Sequence, residues 1–150
     1  MTAGEAFKKI AYFCAYRERC TKETVEKLES FELEPEVIED LIEKLKEEKY
    51  LNEIRFAESY AGGKFRVKNW GKIKIKMGLK SHGVSSQIIN SALECIADPE
   101  YQNTLVHLFE LKMKELKKIN SATDKQKMFN YLASKGFESE KILSLIHQNT

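Results

Sequence analysis

Apolar residues recur along this chain at intervals of three and four, the spacing that lines one face of an α-helix. Phe7, Ile10, Ala11 and Cys14 make such a face in a first helix over residues 5–18. Thr21 is placed to cap a short second helix carrying Val25 and Leu28, with Glu23 near its positive end. Pro35 opens a third helix reaching residue 48, in which Val37, Ile38, Leu41, Ile42 and Leu45 face inward. Asn52 caps a fourth that buries Phe56, Tyr60 and Phe65, its end softened by Gly62 and Gly63. A fifth spans residues 70–82 and stops at Gly83, and Ser85 or Ser86 caps a sixth with Ile88, Ile89, Ala92, Leu93 and Ile96 on one face. Asp98 followed by Pro99 starts a long seventh helix to about residue 118. Ser121 or Thr123 opens an eighth that ends at Gly136, and Ser139 opens a ninth. The one alternating run, KIKIKM at residues 72–77, is assigned to the fifth helix because helices flank it.

Nine helices in sequence suggest threes, and the apolar positions repeat accordingly. Displacing the chain by 51 residues brings Leu28 onto Leu79, Ile38 onto Ile89 and Ile42 onto Leu93. A further 53 brings Leu79 onto Leu132, Gly83 onto Gly136, Ile89 onto Ile142 and Leu93 onto Ile146. A unit of this size buries little surface alone, so neighbouring units must stack. The expected fold is all-α: three tandem three-helix repeats, 1–51, 52–97 and 98–150, forming an elongated curved body.

Charge separates one unit from the others. The formal net charge of +2 hides a middle in which residues 59–93 contain no Asp or Glu and seven bases: Lys64, Arg66, Lys68, Lys72, Lys74, Lys76 and Lys80. Residues 1–58 hold ten bases against fifteen acids, and residues 94–150 hold eight of each. On a helical wheel Lys72, Lys76 and Lys80 form a stripe between Ile75 and Leu79 on one side and Trp70, Ile73 and Met77 on the other. Such a stripe reads either as a solvated face or as a contact for an anionic partner, and the lack of any acid to pair with it favours the partner. Trp70 reads as a cap on the middle core or as a stacking residue beside the bases. Arg55 either ties the first two units together through Glu53 or Glu58, or faces the partner. The acids of the third helix, Glu36 to Glu48, read as a solvated face.

Other chemistry finds little support. Three cysteines, Cys14, Cys20 and Cys95, are odd in number and lack CxxC spacing, against a disulfide scaffold or a zinc site. His82, His107 and His147 stand far apart in sequence, and no HExxH occurs. AGGKF lacks the first glycine of a phosphate loop and carries Phe65 where magnesium needs a hydroxyl. No enzyme, cofactor or metal is expected. The first residues alternate apolar and charged positions rather than forming a secretion signal, and no apolar run approaches the ~20 residues that span a bilayer. A cytoplasmic protein without membrane contact is the expectation.

With the repeat and the basic middle in view, the chain resembles the RecX family of bacterial regulatory proteins. The residues carrying the resemblance are Tyr50-Leu51-Asn52-Glu53-Ile54-Arg55-Phe56-Ala57, similar to the family's YLNDERFA segment, then Tyr60 and Trp70-Gly71-Lys72. Ile75-Lys76, Leu79-Lys80 and Gly83-Val84 continue it, and Tyr16-Arg17-Glu18-Arg19 is similar to the basic close of the family's first helix. Glu53-Ile54 stands where the family usually has two acids. The resemblance implies a non-enzymatic modulator that binds the RecA nucleoprotein filament and restrains its growth and ATPase; a monomer is expected. Its partner-binding residues are then expected to be Arg55, Lys64, Arg66, Lys68, Trp70, Lys72, Lys74, Lys76 and Lys80, with single- or double-stranded DNA met through phosphates. The alternative is a helical repeat protein acting on DNA without RecA, and a third reading is a scaffold for another acidic protein.

Overall fold

A computed structural model describes residues 1–150 as nine α-helices with no β-strand. The first set comprises α1 (Ala3–Tyr16), α2 (Thr21–Glu29) and α3 (Pro35–Glu47). The second comprises α4 (Glu53–Lys68), α5 (Lys72–Ser81) and α6 (Ser86–Glu94), and the third α7 (Asp98–Leu116), α8 (Ala122–Ser134) and α9 (Ser139–Gln148). The main helix-on-helix packing lies within each set, so the chain is a helical repeat of three three-helix units. No helix is long and apolar enough to cross a membrane.

The repeat is a repeat of core positions. Leu28, Leu79 and Leu132 are fully buried at equivalent places, as are Ile89 and Ile142, with Ile38 nearly so. A leucine truncated to alanine at such a site costs about 2–5 kcal/mol through lost transfer energy and the cavity left behind. The turn between the second and third helices of each unit also recurs. Its pivot has positive φ in all three, at Glu32 (58°), Gly83 (77°) and Gly136 (97°). Glycine reaches this conformation without a Cβ clash, and Glu32 adopts it at a cost.

Several element ends differ from the sequence reading. Cys20, not Thr21, caps α2: its Sγ accepts from the Glu23 N–H at 3.4 Å while Glu23 Oε1 accepts from the Cys20 N–H at 2.9 Å. Thr21 is the first helical residue. α7 begins at Asp98 and α9 at Ser139, as read, with Ala97 and Glu138 in the capping positions before them. α4 runs through Gly62 and Gly63 to Lys68, because buried Phe65 anchors its last turns, and it ends on Asn69 in the left-handed conformation. α5 begins at Lys72, leaving Trp70 outside it. Asn52, Ser85 and Ser121 cap as read.

The two junctions between units differ in kind. Units two and three share one apolar core, running from Phe56 and Phe65 through Tyr101 to Phe137 and Ile146, whereas the first unit has its own. Phe65, Tyr101 and Phe137 stack in series at 5.8 and 5.2 Å between centroids. Here the backbones touch: Gly71 N–H donates to Lys135 O at 2.7 Å and Ile73 N–H to Gly136 O at 2.9 Å. A Cβ on Gly71 would lie 2.3 Å from Gly136 O, and one on Gly136 would lie 2.3 Å from Lys74 Cβ. Tyr101 closes the junction, its hydroxyl accepting from Lys72 N–H at 2.9 Å and donating to Glu138 Oε1. The first junction is mostly polar. Glu53 Oε1 accepts from Thr21 N–H at 2.7 Å, Arg55 pairs with Glu18, and Lys22 Nζ donates to Ser81 O at 3.0 Å. Only Cys20 of the first unit joins the larger core.

Two outcomes follow for stability. At Gly83 a Cβ meets nothing closer than 3.8 Å, so Gly83→Ala reads the positive φ alone. It should cost about 1 kcal/mol, while Gly136→Ala adds collision with Lys74 and should cost roughly 3 kcal/mol or more; urea unfolding of the two variants checks the order. Burial, helped by the bond to Glu138, holds the Tyr101 hydroxyl far above its ordinary value. It therefore stays neutral in the folded chain while an unfolded tyrosine ionises above about pH 10, so stability is intact below that pH and falls as pH rises past it. Tyr101→Phe should lower stability at pH 7 by about 1–3 kcal/mol and flatten the alkaline decline, read as urea midpoints from neutral to strongly alkaline pH.

Candidate functional site

The basic side chains of the middle unit come from the last turns of α4 and the whole of α5. α5 is an unusual host for them. A helix start favours acids and a capping side chain, yet Gly71 offers no side chain and the first turn of α5 contains Lys72 and Lys74 with no acid. Its N–H groups are instead taken by Tyr101 and by the Gly136 carbonyl, as described above. The third unit thus supplies the cap that the basic helix lacks.

The lysines fall into two groups. Lys64 Nζ lies 4.9 Å and Lys74 Nζ 4.6 Å from the centroid of the Trp70 ring, so two ammonium groups share one indole. Lys72 Nζ lies 4.9 Å from the Tyr101 ring. Lys76 is half-buried, and Arg66, Lys68 and Lys80 are exposed. None of these seven bases takes part in an ion pair; the pairs of the chain are Arg17–Glu23, Arg55–Glu18 and Lys112–Glu115. Burial raises the Tyr60 hydroxyl above its ordinary value, so no phenolate balances them at neutral pH. Beside this charge Val67, Ile73 and Met77 are exposed by 76%, 46% and 67%. Ile73 and Met77 stand one helical turn apart, flanking the lysines with an apolar edge.

Trp70 is half-buried and packs edge-on against Tyr60 at 6.4 Å, and Tyr60 in turn meets Phe56 and His82. It caps the core and holds the two lysines at once. Arg55 is engaged by the first unit: its Nε binds Glu18 and its Nη2 donates to Lys49 O and Tyr50 O at 3.1 and 3.3 Å. Neither Glu53 nor Glu58 is its partner, since Glu53 caps α2 from across the junction. The face therefore gathers Lys64 and Lys74 around Trp70, sets Lys72 over Tyr101, leaves Arg66, Lys68 and Lys80 exposed, and sets Arg55 apart at the junction. Sequence reasoning did not find Gly71, Tyr101, Gly136 and Glu138, which support the face. Pairing between units leaves no periodic trace, although two glycines flanking aromatic residues are a signal of close backbone approach.

Comparison with known proteins places these features in a family. A family model described as RecX, second three-helix domain, matches residues 52–93, and one described as RecX, third three-helix domain, matches residues 99–146. A "Regulatory protein RecX" of Clostridium perfringens is 36% identical over 131 residues, covering 86% of this chain and 61% of its own length. Its namesake in Bacillus velezensis is 30% identical over 145 residues, covering 96% of this chain. The chain spans 55% of the length of that Bacillus velezensis relative. The crystal structure of RecX from Lactobacillus salivarius superposes with a TM-score of 0.88 at 24% identity, covering 97% of this chain and 95% of that one, which shows the same fold. The two models together take in more than half of the residues, and the seven bases of residues 59–93 all lie inside the first of them. This chain belongs to the RecX family.

Proposed function

We propose that this chain is a non-enzymatic regulator of recombination and repair that binds the RecA nucleoprotein filament and restrains its growth and ATPase. The observation that supports this reading most is the basic face of the middle unit, seven cations without one ion pair. Uncompensated like charges at helical spacing destabilise the free protein and are offset when an anionic surface arrives. The partner-binding set is Lys64, Arg66, Lys68, Trp70, Lys72, Lys74, Lys76 and Lys80, with Ile73 and Met77 supplying the apolar edge that a protein interface needs and naked phosphate does not. Arg55 contributes by fixing the first unit against the second. The units 1–51, 52–97 and 98–150 act as one cytoplasmic monomer along the filament, and any DNA contact runs through phosphates.

RecA ATPase on single-stranded DNA tests the reading. Substoichiometric wild-type protein should inhibit it, and Lys72→Glu/Lys76→Glu/Lys80→Glu, folded by circular dichroism, should not. An inert wild type that binds naked DNA in a salt-dependent way would replace this proposal with action on DNA alone. Salt should also act with opposite signs on the free and bound protein. Screening relieves repulsion within the face, so thermal stability should rise between about 20 and 200 mM KCl, whereas affinity for the anionic partner should fall at least about tenfold. Lys76→Gln should mimic the first effect, raising stability by up to about 0.5 kcal/mol, as read by thermal melts at both salt concentrations.

A further inference from the structure

The first unit carries a second surface that the proposed function leaves unused. α1 presents Tyr12 and Tyr16, which are 72% and 75% exposed, along one side of a groove of about 690 Å³. Phe13 and Phe31 form its floor, packed against the core of the first unit. Four cations, Lys8, Lys9, Arg19 and Lys27, complete the lining, and no carboxylate joins them. This is notable in a unit where acids outnumber bases. Four of its acids, Glu36, Glu39, Asp40 and Glu43, lie on the exposed side of α3 instead. The cations are also positioned. The Arg19 guanidinium lies 3.7 Å over the Phe13 ring while its Nε donates to Phe13 O at 2.9 Å, and Lys27 Nζ lies 5.8 Å from both phenyl rings.

We propose that this groove binds single-stranded nucleic acid, with bases stacked on Tyr12 and Tyr16 and phosphates held by Lys8, Lys9 and Lys27. Two phenol rings left this exposed gain nothing from the fold and offer flat apolar faces, the platforms that unpaired bases use. They stand four residues apart on one helix, hence about 6 Å along its axis. That exceeds the ~3.4 Å rise between stacked bases in one strand of a duplex, so the bases they receive must be parted from one another. Duplex bases are unavailable for this, and an extended single strand is not. The cations that line the groove meet phosphate without reading sequence, so binding should tolerate any base. An acidic peptide would satisfy the cations and leave both tyrosine faces unused.

The site lies on a different unit from the basic face, and its test is separable. Fluorescence anisotropy would follow a labelled oligothymidine dodecamer, an abasic strand of equal length and a duplex of the same length. The comparison runs across wild type, Tyr12→Ala/Tyr16→Ala and Lys72→Glu/Lys76→Glu/Lys80→Glu. Oligothymidine should bind the wild type at least about tenfold more tightly than the abasic strand. The tyrosine variant, whose changes are on the exposed side of α1 and leave the core intact, should lose that preference, and the lysine variant should keep it. Equal binding of the abasic strand, an unaffected tyrosine variant, or loss of binding only in the lysine variant would overturn the proposal. Displacement of the oligonucleotide by polyglutamate at equal charge concentration would overturn it in favour of an acidic protein segment.

Discussion

The N–H group of Lys72 has its acceptor in another unit, and much of the molecule is arranged around that fact. A helix that starts on Gly71 and carries lysines in its first turn sets cations against its own positive end, at a cost of roughly 0.3–1 kcal/mol each. The Tyr101 hydroxyl and the Gly136 carbonyl answer the open N–H groups, and the Glu138 carboxylate lies behind Tyr101. Contact this close requires that neither Gly71 nor Gly136 carry a side chain. The basic face is therefore a property of two units together, although nearly all its charge belongs to one.

The other junction follows the same rule with different chemistry. Thr21, which is 51 residues before Lys72, also begins the second helix of its unit, and its N–H is likewise taken by the first helix of the next unit, through Glu53. Around this bond, however, stand polar groups rather than a continuous core. The Arg55–Glu18 pair is partly exposed on both sides, which limits it to about 1 kcal/mol or less. The first unit is thus held by directional contacts of modest strength, while the second and third are fused by apolar burial.

What could be read in advance divides along the same line. Core faces were legible because they obey a period: Leu28, Leu79 and Leu132 announce themselves by spacing, whereas KIKIKM alternates and is read as helix only from its helical flanks. Caps were legible where the capping residue is a familiar one, as at Asn52, and not where Cys20 takes the place that Thr21 seemed to claim. Gly62 and Gly63 soften the end of α4 in sequence, but helix propensity yields to tertiary burial at Phe65. Charge located the basic face, yet Trp70 and Arg55 each had two readings in sequence, and only coordinates show the first bound between two lysines and the second turned toward Glu18. The groove on the first unit escaped notice because Phe31 and Lys27 reach Tyr12 and Tyr16 only after α2 folds back on α1.

The repeat itself says what the lysines are not for. Positions equivalent to Lys72, Lys74 and Lys80 hold Thr21, Glu23 and Glu29 in the first unit, on a helix that occupies the same place in its own core. The fold accepts either sign of charge there. In the first unit Glu23 completes a capping box with Cys20, so α2 has local support as well as Glu53. In the second, lysine at the Glu23 position makes such a box impossible, and the cap passes wholly to Tyr101 and the α8–α9 turn. Moving the cap to a neighbour releases these positions from the acidic residue that a helix start prefers. The middle unit can then concentrate positive charge where an ordinary helix would be least able to hold it, and it depends on the third unit for doing so.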